Sequence, residues 1–227
     1  MNIDALVALR RDLHAHPELG YQETRTSDIV ARFLQQLGLE VYRGIGQTGV
    51  VGVLKRGDSP RVIGLRADMD ALPMQDQGDA PWKSKTENLC HACGHDGHTV
   101  MLLGAAQQLA AAEDLNGTLC FIFQPAEEGL AGAKAMIDDG LFSRFPCEAV
   151  YALHNWPELP LGEVQTRPGA IMAAADRFDI TVKGGGGHAA QPHLTRDTLL
   201  AASELVVQLN TLVARAIDPC EAALLSE

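Results

Sequence analysis

Between residues 91 and 98 the chain reads His91-Ala92-Cys93-Gly94-His95-Asp96-Gly97-His98. Thiolate and imidazole are the side chains that hold zinc-like ions most readily. Glycines in the run let a loop fold tightly enough for Cys93 and His95 to face one centre. Two plainer readings compete: a surface histidine loop, or Cys90-x-x-Cys93 as half of a zinc ribbon. A ribbon needs a second cysteine pair at suitable spacing, which Cys120, Cys147 and Cys220 do not provide. The cluster therefore reads as a catalytic metal site.

A second cluster is Gln124-Pro125-Ala126-Glu127-Glu128-Gly129. Adjacent carboxylates are usually a solvated turn. Here they directly follow an apolar run, between a proline and a glycine that fix the turn. Successive side chains in an extended turn point apart, so one can ligate a metal while its neighbour handles a water. Hydrolysis of an unactivated amide needs both roles, a Lewis acid and a general base. His154, in Leu153-His154-Asn155, is a candidate ligand, although a lone histidine after a strand is more often a satisfied core residue. Asp68 and Asp70 are read as partners that orient an imidazole or Arg66 rather than as ligands. His14 and His16 have no partner that the sequence names.

These residues need a scaffold. Apolar spacing predicts helices over residues 3–16, 23–37, 99–111, 134–139 and 197–214, and strands over 49–54, 61–66, 118–123 and 149–153. The run 118–123 is almost continuously apolar, as in a strand buried on both faces of a parallel sheet. Alternation of strands and helices argues for an α/β fold, a mostly parallel sheet flanked by helices. Asp68 and Asp70, Glu127 and Glu128, and His154 each follow a strand. In such sheets ligands bind outside the carboxyl ends of the strands, so the three motifs are expected to converge on one edge. Near residue 176 the texture changes. Residues 177–183 alternate like a half-exposed strand, Gly184 to Gly187 precede His188, and an amphipathic helix follows. We therefore expect a catalytic metal-binding domain over 1–176 and the start of a smaller α+β domain over 177–227.

The chain has 227 residues, 46% of them hydrophobic and 21% charged, and a formal net charge of −11. That acidity makes nucleic acid and anionic membrane surfaces poor partners. It says little about a small substrate, since a metal can reverse the local field in a cleft. The first residues lack the basic and apolar regions of a signal peptide, no apolar run reaches a membrane span, and the five cysteines do not look like a disulfide framework. A cytoplasmic location is expected.

With these residues in view, the chain resembles the M20 metallopeptidase superfamily. It is closest to the amidohydrolase branch of hippurate hydrolases, N-acyl-amino-acid amidohydrolases and auxin-conjugate hydrolases. The resemblance rests on His16-Pro17-Glu18-Leu19, Thr48-Gly49-Val50, the run from Arg66 to Pro73, His91 to His98, Gln124 to Glu128, and Gly186-Gly187-His188-Ala189-Ala190. They come in the family's order and span nearly the whole chain. One departure is Cys90, where relatives commonly have methionine.

The resemblance implies a zinc-peptidase-like catalytic domain with two divalent metals, manganese or zinc, with cobalt or nickel as alternatives. Cys93, His95, Glu128 and His154 would be ligands and Glu127 the general base. His188, on a lid domain that also dimerises, would help stabilise the tetrahedral intermediate. The implied substrate is a small N-acyl amino acid, the implied assembly a homodimer. The resemblance also places one further histidine ligand past Glu227. Two other functions stay open from sequence: a metal- or ligand-binding protein without catalysis, and a dipeptidase of the same superfamily.

Overall fold

The computed structural model describes residues 2–172 and 174–226. They fall into two compact units, Met1–Glu158 and Leu159–Glu227.

The first unit is built on a five-stranded sheet. Its strands are β1 (Glu40–Ile45), β2 (Gly49–Arg56), β3 (Val62–Asp68), β4 (Gly117–Gln124) and β5 (Ala149–Ala152), in the spatial order β1-β2-β4-β3-β5. β3 runs parallel to both β4 and β5, whereas β2 is antiparallel to β1 and β4. The expected mostly parallel sheet is thus corrected to a mixed one. β2 is the strand that runs against the rest, and on one side it is joined by a hairpin: Gly46 and Gln47, with φ of 61° and 79°, turn β1 directly into β2. Such a short connection can only join antiparallel neighbours. A side chain at Gly46 would also meet the Met136 backbone nitrogen at 2.8 Å.

β4 explains the layering. Its Phe121 and Phe123 face one way, into a core with Val30 and Leu34 of α2 (Thr24–Gln36) and Leu103 of α3 (His95–Ala111). Its Cys120 and Ile122 face the other way, against Met136 of α4 (Gly132–Asp138) and Leu141 of α5 (Leu141–Arg144). The central strand is covered on both sides, as its unbroken apolar run requires. α1 (Ile3–Ala15) joins the first face through Leu9.

The His16-Pro17-Glu18-Leu19 motif turns out to be structural. Glu18 accepts the backbone N–H groups of Arg25 and Thr26 at 2.9 and 2.8 Å, neutralising the exposed donors of the first turn of α2. Leu19 bridges to Ala71, beside Asp70.

In the second unit, α6 (Thr198–Ala216) is capped by the Asp197 side chain, which accepts from the Leu200 N–H. By length and composition alone α6 could cross a membrane, though Glu204, Gln208 and Asn210 interrupt its apolar sequence. The strand expected over 177–183 is not formed. Phe178, Ile180 and Val182 alternate correctly but have no partner strand among the described residues.

Candidate metal centre

β3, β4 and β5 are adjacent and parallel, so their carboxyl ends open on one edge. The chain leaves β3 through Asp68 and Asp70, β4 through Pro125 to Glu128, and β5 through His154 and Asn155. α3 starts at the same edge with His95. Its cap, Gly94, has φ of 85°, and a Cβ there would lie 2.4 Å from the Asn155 Oδ1. Glycine is therefore required at this position both by conformation and by space.

His95 is the centre of the arrangement and is fully buried. Its Nδ1 donates to Asp70 Oδ1 at 3.3 Å. Its Nε2 is buried without a hydrogen-bond partner. Around that lone pair lie Asp68 Oδ2 at 3.7 Å, Glu128 Oε1 at 3.7 Å and Glu127 Oε2 at 3.9 Å. Cys93 Sγ and His154 Nε2 are 3.4 Å apart, and with His95 they form a group of donors within 4.8 Å of one another. His154 Nδ1 donates to the Asn155 carbonyl at 2.7 Å, which leaves its Nε2 lone pair free for the centre. His95, Glu127 and Glu128 form an overlapping group.

The electrostatics point the same way. Burial, then the nearby carboxylates led by Glu128, push the Cys93 thiol up to about 12. Burial, and then Glu127, raises Glu128, against the pull of His95. Burial disfavours ionisation of Asp70, but the bonds from His95 and from the backbone N–H groups of Glu128 and Glu127 outweigh it, and its carboxyl lies below the ordinary range. Burial likewise opposes charge on His95; the Asp70 bond and the Asp68 carboxylate overcome it and raise the imidazole. Three carboxylates, those of Asp68, Glu127 and Glu128, and a thiol thus converge on one unpartnered imidazole nitrogen, a donor set that fits a divalent cation.

Five of the six residues expected from sequence, Cys93, His95, Glu127, Glu128 and His154, are brought together. His188 lies in the second unit, where its Nδ1 accepts the Ala190 N–H at 3.1 Å. Asp68 and Asp70 contact imidazoles, those of His98 and His95 respectively.

Several residues were not singled out by sequence. Glu23, fully buried, accepts the N–H of Ala126 at 2.7 Å and so holds the turn bearing Glu127. His14 finds its partner in Asp96, at 2.8 Å, which Arg10 also meets at 2.8 Å; together they fix the first turn of α3 against α1. No local spacing signals these contacts, which join segments far apart in the chain. A separate apolar groove of about 550 Å³, lined by Val7, Trp82 and Met101 among others, contains none of the candidate residues.

The sequence profile of Peptidase family M20/M25/M40 matches residues 64–221. Hippurate hydrolase of Campylobacter jejuni is 51% identical over 218 residues, 96% of this chain and 57% of its own length. IAA-amino acid hydrolase ILR1-like 5 of Arabidopsis thaliana is 44% identical over 219 residues, covering 96% and 50%. A solved Bacillus subtilis protein, described as a dinuclear metal binding peptidase from the M20 family, superposes with a TM-score of 0.66 at 43% identity, over 70% of this chain and 45% of its own. The chain thus spans about half the length of the curated relatives it matches. On the extent of the profile match and the identity to these relatives, this chain belongs to the M20/M25/M40 peptidase family.

Proposed function

We propose that the protein of which this sequence is at least a part is a metal-dependent amidohydrolase that cleaves the amide bond of N-acyl amino acids. The observation that carries this reading is the buried, unpartnered Nε2 of His95 among Cys93, His154 and the Glu127–Glu128 pair. The names of the hippurate and IAA-amino acid hydrolases support the substrate class.

Cys93, His95, Glu128 and His154 are the ligands in this reading. Asp70 fixes the His95 tautomer so that Nε2 faces the centre. A bound divalent metal, manganese or zinc, supplies Lewis acidity to water and carbonyl oxygen. Glu127 is the more exposed of the pair, with 42% of its side chain accessible against 25% for Glu128, and is free to act on solvent. It takes a proton from the attacking water as the new C–O bond forms. It returns that proton to the amide nitrogen as the C–N bond breaks, and the remaining water proton passes from the new carboxyl to the amine, so that a carboxylate and an ammonium group are released. His188 assists the tetrahedral intermediate and the stretch 177–227 begins a lid that pairs two subunits, proposals that rest on the resemblance of Gly186-Gly187-His188 to the family pattern. The free cysteines among the described residues agree with a reducing, cytoplasmic compartment.

The test is hydrolysis of hippurate by the metal-supplemented protein, beside dipeptides with a free amino terminus. Glu127→Gln should keep the metal and lose about 10²–10⁴-fold in kcat. Loss of metal in that variant, with Glu128→Gln retaining it, would reverse the two roles. Preference for the dipeptides would move the substrate class.

A further inference from the structure

His98 sits at the metal-facing edge, is 2% exposed, and has no part in the proposed chemistry. Together with Asp68 and His95 it forms a third group of possible ligands. Its hydrogen bonds argue for a different role. Nδ1 lies 2.6 Å from Asp68 Oδ1, and Nε2 lies 3.0 Å from the backbone nitrogen of Asn155. The Asn155 N–H is fixed in direction by the main chain, so Nε2 must be the acceptor and Nδ1 the donor to Asp68. The Asn155 side-chain amide also abuts Nε2. That amide can turn about its terminal torsion to present its NH₂ group, which the backbone cannot do. Both nitrogens of a neutral His98 are thereby engaged, and neither retains a lone pair for a metal.

The segment that His98 grips needs holding. β5 is a four-residue edge strand whose last sheet pairing is Ala152 with Arg66. Leu153, His154 and Asn155 run on past it, exposed. The His154 ring meets the His98 ring edge-on at 4.5 Å between centroids. Asp68 is itself anchored by Arg66 at 2.7 Å, and Thr99 donates to its carbonyl at 2.8 Å. A continuous chain therefore runs from the inner strand β3 through His98 to the residue beside His154.

We propose that His98 is a positioning residue: fixed as its Nδ1–H tautomer by Asp68, it holds the Asn155 N–H and so aims His154 Nε2 at Cys93 and His95. This rests on the metal reading of those three residues.

Two measurements test it on this chain. Histidine nitrogen NMR of the unsubstituted, metal-free chain should show His98 as the neutral Nδ1–H form; an Nε2–H tautomer or a charged ring overturns the proposal. That arm stands even if a variant fails to fold. In competition titrations with cobalt, His98→Gln should weaken binding by about 10–100-fold, the usual effect of losing a residue that orients a ligand. Because the effect acts through His154, the same substitution in a His154→Ala background should cost less than about threefold, the non-additivity expected of residues acting in series. An equal loss in both backgrounds, or none in either, overturns the positioning role. If the unsubstituted chain takes up no cobalt, the metal reading fails and this inference with it. If it binds and His98→Gln binds equally well, this inference alone fails.

Discussion

The Asp70 carboxylate is divided between two parts of the site: Oδ1 accepts from His95 Nδ1 at 3.3 Å, while Oδ2 accepts the Glu128 N–H at 2.9 Å. One buried side chain thus sets the aim of an imidazole on α3 and the height of the carboxylate turn after β4. Asp70→Ala should lower metal affinity by about 10–100-fold although no proposed ligand is removed. Equilibrium dialysis against zinc is the check. Unchanged affinity would mean that His95 and the turn hold their places without Asp70.

Cys93→Ala removes a proposed ligand itself. Its thiol lies 3.4 Å from His154 Nε2, in the same donor group as His95. Metal content by elemental analysis should fall sharply, with secondary structure by circular dichroism retained. Full metal occupancy in this variant would remove Cys93 from the ligand set.

Metal uptake should release protons. Burial and the surrounding carboxylates push the metal-free Cys93 thiol up to about 12, so near neutral pH it is protonated. Only the thiolate is a ligand, so binding expels that proton. Affinity should therefore rise by about tenfold per pH unit for each proton released. Calorimetry in buffers of differing ionisation heat counts the protons. A count of zero near pH 7 would show that the thiol stays protonated and does not ligate.

Much of this centre was legible in the sequence because its ligand chemistry is local. Cys93 and His95 are two residues apart, Glu127 and Glu128 adjacent, and His154 follows a recognisable strand. The apolar run of β4 announced burial on both faces, and four of the five expected helices fell close to their observed limits; α3, expected from residue 99, begins a turn earlier at His95, so His95 and His98 are helical rather than in a loop. β1 was missed because Glu40-Val41-Tyr42-Arg43 does not alternate cleanly; the sheet is mixed because β2 runs against both β1 and β4, a direction its apolar run does not encode. The supporting contacts were illegible for another reason. His98 with Asn155, Glu23 with Ala126 and His14 with Asp96 join residues 57, 103 and 82 apart, and only the assembled sheet edge brings them together. Residues 177–183 show the converse: their alternation suits a strand, but pairing needs a neighbour that the sequence pattern cannot supply.

Glu23 gives the last prediction. One carboxylate oxygen accepts the Ala126 N–H at 2.7 Å and the other the Thr48 hydroxyl at 2.5 Å, so the side chain joins α2, the β1–β2 turn and the turn bearing Glu127. Ala126 is fully buried and has φ of 51°, a conformation that alanine holds only when its surroundings enforce it. Glu23→Ala leaves that N–H without its acceptor, which costs about 1–3 kcal/mol for a buried donor. Glu23→Gln keeps an oxygen for Ala126 and should lose less. The two forms should also differ with pH. Burial raises the Glu23 carboxyl above its ordinary value of 4.5, despite the Thr48 and Ala126 bonds that favour the charge. The native state therefore takes up the proton before the unfolded chain does. The charged carboxylate is a net burden above the native value, and the burden lifts as pH falls through it toward 4.5. Glutamine carries no such burden, so Glu23→Gln should compare better with the unsubstituted chain at pH 7 than at pH 4. Urea denaturation at the two pH values decides the sign. A variant that compares better at pH 4 would show that the fold stabilises the charged form of Glu23.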